Sequence, residues 1–116
     1  MIRKATSLIL FMLVITLSME AQIIKTSLTL TIRDELGNVV EAASVKIFEK
    51  EADYVAETNP VMEATTDSKG VAKFKNLKAI PYFVLARKGD KDNVNGGEKT
   101  AALEANKFNK ATIVIQ

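Results

Sequence analysis

Hydrophobic and polar residues begin to alternate at Ser27. Leu28, Leu30 and Ile32 fall on one side of an extended chain, with Thr29, Thr31 and Arg33 on the other. A period of two, with hydroxyl and charged groups on the wet side, predicts a half-buried strand. Asp34-Glu35-Leu36-Gly37-Asn38 interrupts it with residues that tolerate the positive φ of a turn. Alternation resumes over Ser44–Glu49, with Val45 and Ile47 inward. A third strand is expected over Val61–Thr66, after Pro60, and it ends at the turn composition Asp67-Ser68-Lys69-Gly70. Val71–Lys75 sets Ala72 and Phe74 against lysines. Pro81 opens Tyr82–Arg87, and Lys88–Glu98, polar and carrying Gly89, Gly96 and Gly97, reads as a loop. Lys99–Leu103 is a weak strand and Ala111–Ile115 a strong last one. A helix has room only over Lys50–Thr58. Short strands separated by frequent turn signals predict an all-β fold, a seven-stranded antiparallel Greek-key β-sandwich, and not βαβ units.

The first residues follow another pattern. Arg3 and Lys4 precede the apolar run Leu8–Leu17, and Ala21 stands at its exit. A basic head, about ten apolar residues and a small exit residue describe a secretory signal peptide. The run is shorter than the roughly twenty residues of a membrane span. Residues 1–21 are therefore read as a signal peptide and residues 22–116 as one exported domain, periplasmic or at the cell surface. No membrane span is expected in the mature chain.

Two stretches of the domain carry a family likeness. Asp34, Gly37, Val40, Ala43 and Val45 fit the opening D-x-x-G-x-P-[VL]-x-G-A-x-V of carboxypeptidase regulatory-like domains, with Val39 and Ala42 in place of its Pro and Gly. Thr66-Asp67-Ser68-Lys69-Gly70, followed by Phe74 and Leu77, fits T-D-x-x-G-x-[FY]-x-F-x-x-L, with Ala72 in place of the aromatic. Tyr82 matches the tyrosine that begins the next core strand. The domain resembles that family across residues 26–116. The resemblance implies a prealbumin-like sandwich without catalytic machinery, a module that binds or associates.

Composition narrows the chemistry. The 116 residues contain neither Cys nor His, which removes disulfides, Cys/His metal sites, thiol nucleophiles and imidazole bases. The prealbumin-like enzymes lean on histidines, so no enzyme is expected; a carboxylate-dependent hydrolase is the remote alternative, and no Asp or Glu pair is marked out by spacing. A net charge of +2 gives no footprint for nucleic acid. Trp is absent, which weakens any sugar platform built on indole stacking.

Three constellations remain as candidates. If the strands alternate in direction, the turns at Asp34–Ala42, Asp67–Gly70 and Lys88–Glu98 share one end. Asp34, Asp67, Asp90 and Asp92 could then offer Ca²⁺ hard oxygen ligands; the competing reading is solvated turns whose carboxylates cap their own backbones. On the strand after Pro81, the register of the resembled family implies that Tyr82, Val84 and Ala86 face the core and that Phe83 and Leu85, with Phe48, point outward; the competing reading makes Phe83 and Leu85 the inward set. An open apolar patch there would serve a protein or envelope partner, or a second copy in a homo-oligomer or adhesive assembly, unless loops fold over it. Lastly, Lys25 and Asn109 lie near strands that could be cross-linked internally, but the sequence identifies no buried acid to assist.

Overall fold

The structure, a computed structural model, describes residues 24–116; the signal-peptide reading of residues 1–21 lies outside the described residues. Seven strands and one short helix follow in order: β1 Ser27–Asp34, β2 Ser44–Phe48, α1 Glu51–Ala56, β3 Met62–Thr65, β4 Val71–Phe74, β5 Phe83–Lys88, β6 Lys91–Asp92 and β7 Phe108–Ile115. They form two sheets, β4-β1-β7 and β3-β2-β5-β6. The fold is thus the all-β sandwich expected. One pairing carries a different sense: β1 and β7 run parallel along their full length, Ser27 opposite Phe108 through Asp34 opposite Ile115. That sense follows from alternation itself. The first and seventh strands of an up-and-down series point the same way, so they pair parallel when they become neighbours.

The core lies between the sheets where period two placed it. Leu28, Leu30 and Ile32 of β1 meet Val45 and Ile47 of β2, Ala72 and Phe74 of β4, Val84 and Ala86 of β5, and Ile113 and Ile115 of β7. Tyr82 joins them, and its hydroxyl accepts the Lys78 N–H at 3.0 Å, so its polar tip is satisfied.

The two family-like stretches interlock. The Thr66 hydroxyl accepts the Ala43 N–H at 2.8 Å and donates to the Val40 carbonyl at 2.6 Å, which fastens the loop after β1 to the end of β3. Gly70 lies over that loop, and Ile32 N–H donates to its carbonyl at 2.8 Å.

The segment after β5 departs from expectation. Lys88–Glu98 is not all loop and Lys99–Leu103 is not a strand. Instead, residues 91–100 return along β5 as an interrupted edge. Asp92 pairs with Arg87, Val84 N–H donates to the Glu98 carbonyl, and Thr100 N–H donates to the Tyr82 carbonyl. Between them the backbone of Val94–Gly97 swings away, and the Asn93 side chain takes its place. Its Oδ1 accepts the Ala86 N–H at 2.9 Å and its Nδ2 donates to the Val84 carbonyl at 2.8 Å. A primary amide offers the same acceptor and donor as a peptide unit, so it completes the ladder where the chain does not.

Candidate binding surface

The two sheets present opposite outer faces. On β3-β2-β5-β6 the face is covered. Tyr54 of α1 stands edge-on to Phe48, with ring centroids 5.9 Å apart, and stacks on Phe83 at 5.7 Å. The Lys99 ammonium lies 5.2 Å from the Phe83 centroid. Phe48 is fully buried and Leu85 is 3% exposed. The open apolar patch expected of Phe48, Phe83 and Leu85 is therefore corrected: α1 and the residues beyond β6 fold over it, leaving only Phe83 half-buried. Charges on this face are matched across strands. Lys46 sits opposite Glu63, and Arg87 meets Glu57 at 2.7 Å and Asp92 at 3.7 Å. The Arg87 guanidinium, bonded to Glu57, holds that carboxyl below the usual range.

Among the described residues, no element covers the outer face of β4-β1-β7, which is bare in that sense. Register fixes its rows, because paired residues share a face. Lys73, Thr29 and Lys110 form one row across the three strands, and Val71, Thr31 and Thr112 the next. Arg33 and Val114 follow toward one end, and Phe108 lies toward the other, beside Lys75. Phe108 is 70% exposed, far more than an aromatic side chain needs to be on a strand whose other face is buried. Two shallow grooves of about 460 and 570 Å³ adjoin it and share Thr29, Lys73 and Phe108. Among the described residues, no ion pair involves Arg33, Lys73, Lys75 or Lys110. The Arg33 guanidinium donates to the Gly37 carbonyl at 2.7 Å, an uncharged partner. One carboxylate, Asp67, lines the rim of the larger groove.

The turns at Asp34, Asp67 and Lys88 do share an end of the sandwich, since Gly70 lies against Val39 and Lys91 is near enough to favour the Asp34 charge. The four aspartates do not converge. Asp34 Oδ1 accepts the Leu36 and Asn38 N–H groups at 3.0 and 2.9 Å. Asp67 Oδ1 accepts those of Lys69 and Val71 at 2.9 and 3.0 Å. Asp92 Oδ1 accepts the Val94 N–H at 3.0 Å, and Asp90 is exposed in its turn. Among the described residues no group of three or more carboxylates stands where it could hold a metal ion. In place of one four-aspartate calcium site the structure has separate turn caps: Asp34, Asp67 and Asp92 each accept backbone N–H groups of their own turns, and Asp90 stands apart in solvent.

Those caps set an acid limit on stability. The Asn38 N–H, above all, holds the Asp34 carboxyl below its ordinary range, and the Val71 N–H does the same for Asp67. A carboxyl whose folded pKa is depressed stabilises fully above its unfolded value, about pH 4, and loses that contribution as pH falls through the folded value. The urea midpoint is expected to be flat above about pH 5 and to fall below about pH 4. Asp34→Asn combined with Asp67→Asn should flatten that acid limb; an unchanged limb would show that the turns are not its source.

Asn109 has no reactive setting. Its amide donates to the Ser27, Glu104 and Lys107 carbonyls, and its Oδ1 accepts the Glu104 N–H, so it staples the loop before β7. Among the described residues, the buried polar side chains are those of Thr26, Ser27, Thr66 and Asn93, with no acid or lysine. The chemistry the surface does offer is ammonium, guanidinium and hydroxyl groups beside one aromatic ring, a set suited to holding an anionic or hydroxyl-rich partner.

No protein-family model matches the chain, and no curated protein matches it by sequence. Solved structures do. The TIE protein of Bacillus anthracis is 21% identical with a TM-score of 0.55, over 79% of this chain and 17% of that one. The pilus 2b backbone protein of group B streptococcus is 13% identical with a TM-score of 0.58, over 78% of this chain and 40% of that one. BcpA, the major pilin subunit of Bacillus cereus, is 17% identical with a TM-score of 0.53, over 80% and 30%. The chain spans less than half the length of each. At these identities the likeness is one of fold, the β-sandwich.

Proposed function

We propose that this chain is an exported, non-catalytic β-sandwich module that acts at the cell envelope by association, through the outer face of β4-β1-β7. The observation that carries this reading is the difference between the two sheets. One outer face is roofed by Tyr54 and charge-matched; the other leaves a row of cations and Phe108 in solvent. Lysines on the edge strands β4 and β7 also keep a sheet edge soluble, so the exposed Phe108 ring beside them is what marks the face out. The residue inventory agrees with a role without catalysis, since His and Cys are absent. The fold is also that of a pilus backbone protein and a major pilin subunit, which accords with a structural setting at the surface. The two signature stretches support placing the domain with carboxypeptidase regulatory-like modules, and Arg3 to Ala21 supports export. Among the described residues no helix is long and apolar enough to cross a membrane.

Fractionation tests the reading. The tagged full chain, expressed in its producing organism, is expected outside the cytoplasm and bound to the envelope. Lys73→Glu with Lys110→Glu should leave it exported and folded but released into the soluble fraction. Wild type retained in the cytoplasm, or a double variant held on the envelope as tightly as wild type, would contradict it.

A further inference from the structure

We infer that the bare face binds a linear polysaccharide carrying repeated anionic groups. The inference rests on the association reading above and names its occupant. Charge complementarity is the first argument. Lys73 and Lys110 flank Thr29 on either side of β1, about 10 Å apart at twice the inter-strand spacing. Lys75 and Arg33 extend the positive charge toward the two ends of the sheet. The three strands' outer face itself carries no carboxylate; Asp67, at the rim of the larger groove, is near enough to Lys69 and Lys73 for their charges to favour its ionised form, and it offsets part of the Lys73 charge.

The character of the face separates a polysaccharide from other polyanions. Protein interfaces have apolar, aromatic centres and few lysines. Here the central row is Lys73, Thr29 and Lys110, and the one aromatic ring stands to the side. Single-stranded nucleic acid is held by successive aromatic platforms along a strongly basic groove; Phe108 is a single ring on a chain of net charge +2. Hydroxyls between ammonium groups, an apolar ring at one end and two open grooves that adjoin at Thr29, Lys73 and Phe108 suit a hydrated chain of sugars, each presenting an anion, further hydroxyls and an apolar ring face. Without Trp, ionic contact supplies most of the attraction, so binding is sensitive to salt.

Binding to alginate, dextran sulfate, neutral dextran, poly-glutamate and a single-stranded oligonucleotide tests this, using protein recovered after export of the full chain. Saturable binding is expected to alginate, dextran sulfate or both; the two arms tell a carboxylate from a sulfate preference. It should weaken steeply between low and physiological salt. Lys73→Glu with Lys110→Glu should reduce it about tenfold or more, with an unchanged unfolding midpoint. Lys50→Glu with Lys88→Glu makes the same change in net charge elsewhere and should leave it nearly intact. Equal loss in both pairs, equal binding of poly-glutamate or oligonucleotide, or no binding of either anionic polysaccharide overturns the inference. If polysaccharides fail while Lys73→Glu with Lys110→Glu still frees the protein from the envelope, only the occupant is wrong.

Discussion

Gly70→Val is expected to destabilise the sandwich by about 3–4 kcal/mol, although the residue belongs to a turn. Two causes add. Gly70 sits at φ +74°, where a β-branched residue is strained. A Cβ at this position would also come to 2.8 Å from the Ile32 carbonyl oxygen, 2.9 Å from Val39 Cβ and 3.1 Å from the Val40 nitrogen. The Val40 N–H donates to that same Ile32 oxygen at 2.9 Å, so Gly70 lies directly on the bond that closes the loop after β1. Neither backbone atom can yield without opening the junction of the two signature stretches. Gly37 provides the comparison. It sits at φ +87° with nothing within 4 Å of a Cβ, so Gly37→Ala should cost only about 1–2 kcal/mol. Urea denaturation of both variants measures the difference; equal losses would show that close approach at Gly70 contributes nothing.

Asn93→Leu should cost about 2–4 kcal/mol, since it strands the Ala86 N–H and the Val84 carbonyl in the interior. The side chain is 2% exposed, so water cannot take over either bond. Asn93→Asp separates bonding from packing. An ionised carboxylate keeps the bond from Ala86 but faces the Val84 carbonyl with no proton to donate. Burial raises the folded pKa of such a group above its unfolded value, so the variant gains stability as pH falls through the folded value toward the unfolded one. Its deficit relative to wild type should narrow between about pH 7 and pH 5, the reverse of the effect expected from Asp34 and Asp67. A deficit independent of pH would mean that the amide acts only by its shape.

The contrast between Leu30 and Asn93 shows where sequence reading succeeds. Leu28, Leu30 and Ile32 announce their burial because a strand repeats every two residues, and a repeat is visible without knowledge of the neighbours. Asn93 announces nothing. It sits in a polar stretch with three nearby glycines, and only its apposition to β5 turns it into part of a sheet. The same limit applies to Phe48 and Leu85. Alternation after Val45 and Ile47 turns Phe48 away from the core, and the register of the resembled family does the same for Leu85; what covers them is α1, whose Tyr54 is the one aromatic residue of a short segment with no marked pattern. The aspartates illustrate a third case. The turn positions of Asp34 and Asp67 were legible, and so was their gathering at one end. Which oxygen bonds which N–H depends on the path of each turn, and that path commits the carboxylates locally.

Part of the bare face was present in the sequence as Thr29, Thr31, Arg33 and Lys73, each on the wet side of its strand. Its coherence was not. Lys110 precedes the strand expected over Ala111–Ile115, and only the parallel register of β7 on β1 sets it in a row with Lys73. Two lysines set on either side of Thr29 across three strands arise from pairing, and pairing is a long-range property.

Lysine footprinting reads directly whether the β4-β1-β7 face is occupied at the envelope. The protein is acylated in intact envelopes and, separately, after purification, and modification is read lysine by lysine. The account predicts that Lys73, Lys75 and Lys110 are protected in envelopes relative to the purified protein, while Lys50 and Lys88, away from the face, react alike in both states. Equal reactivity of Lys73 and Lys110 in the two states, or protection confined to Lys50 and Lys88, would contradict it.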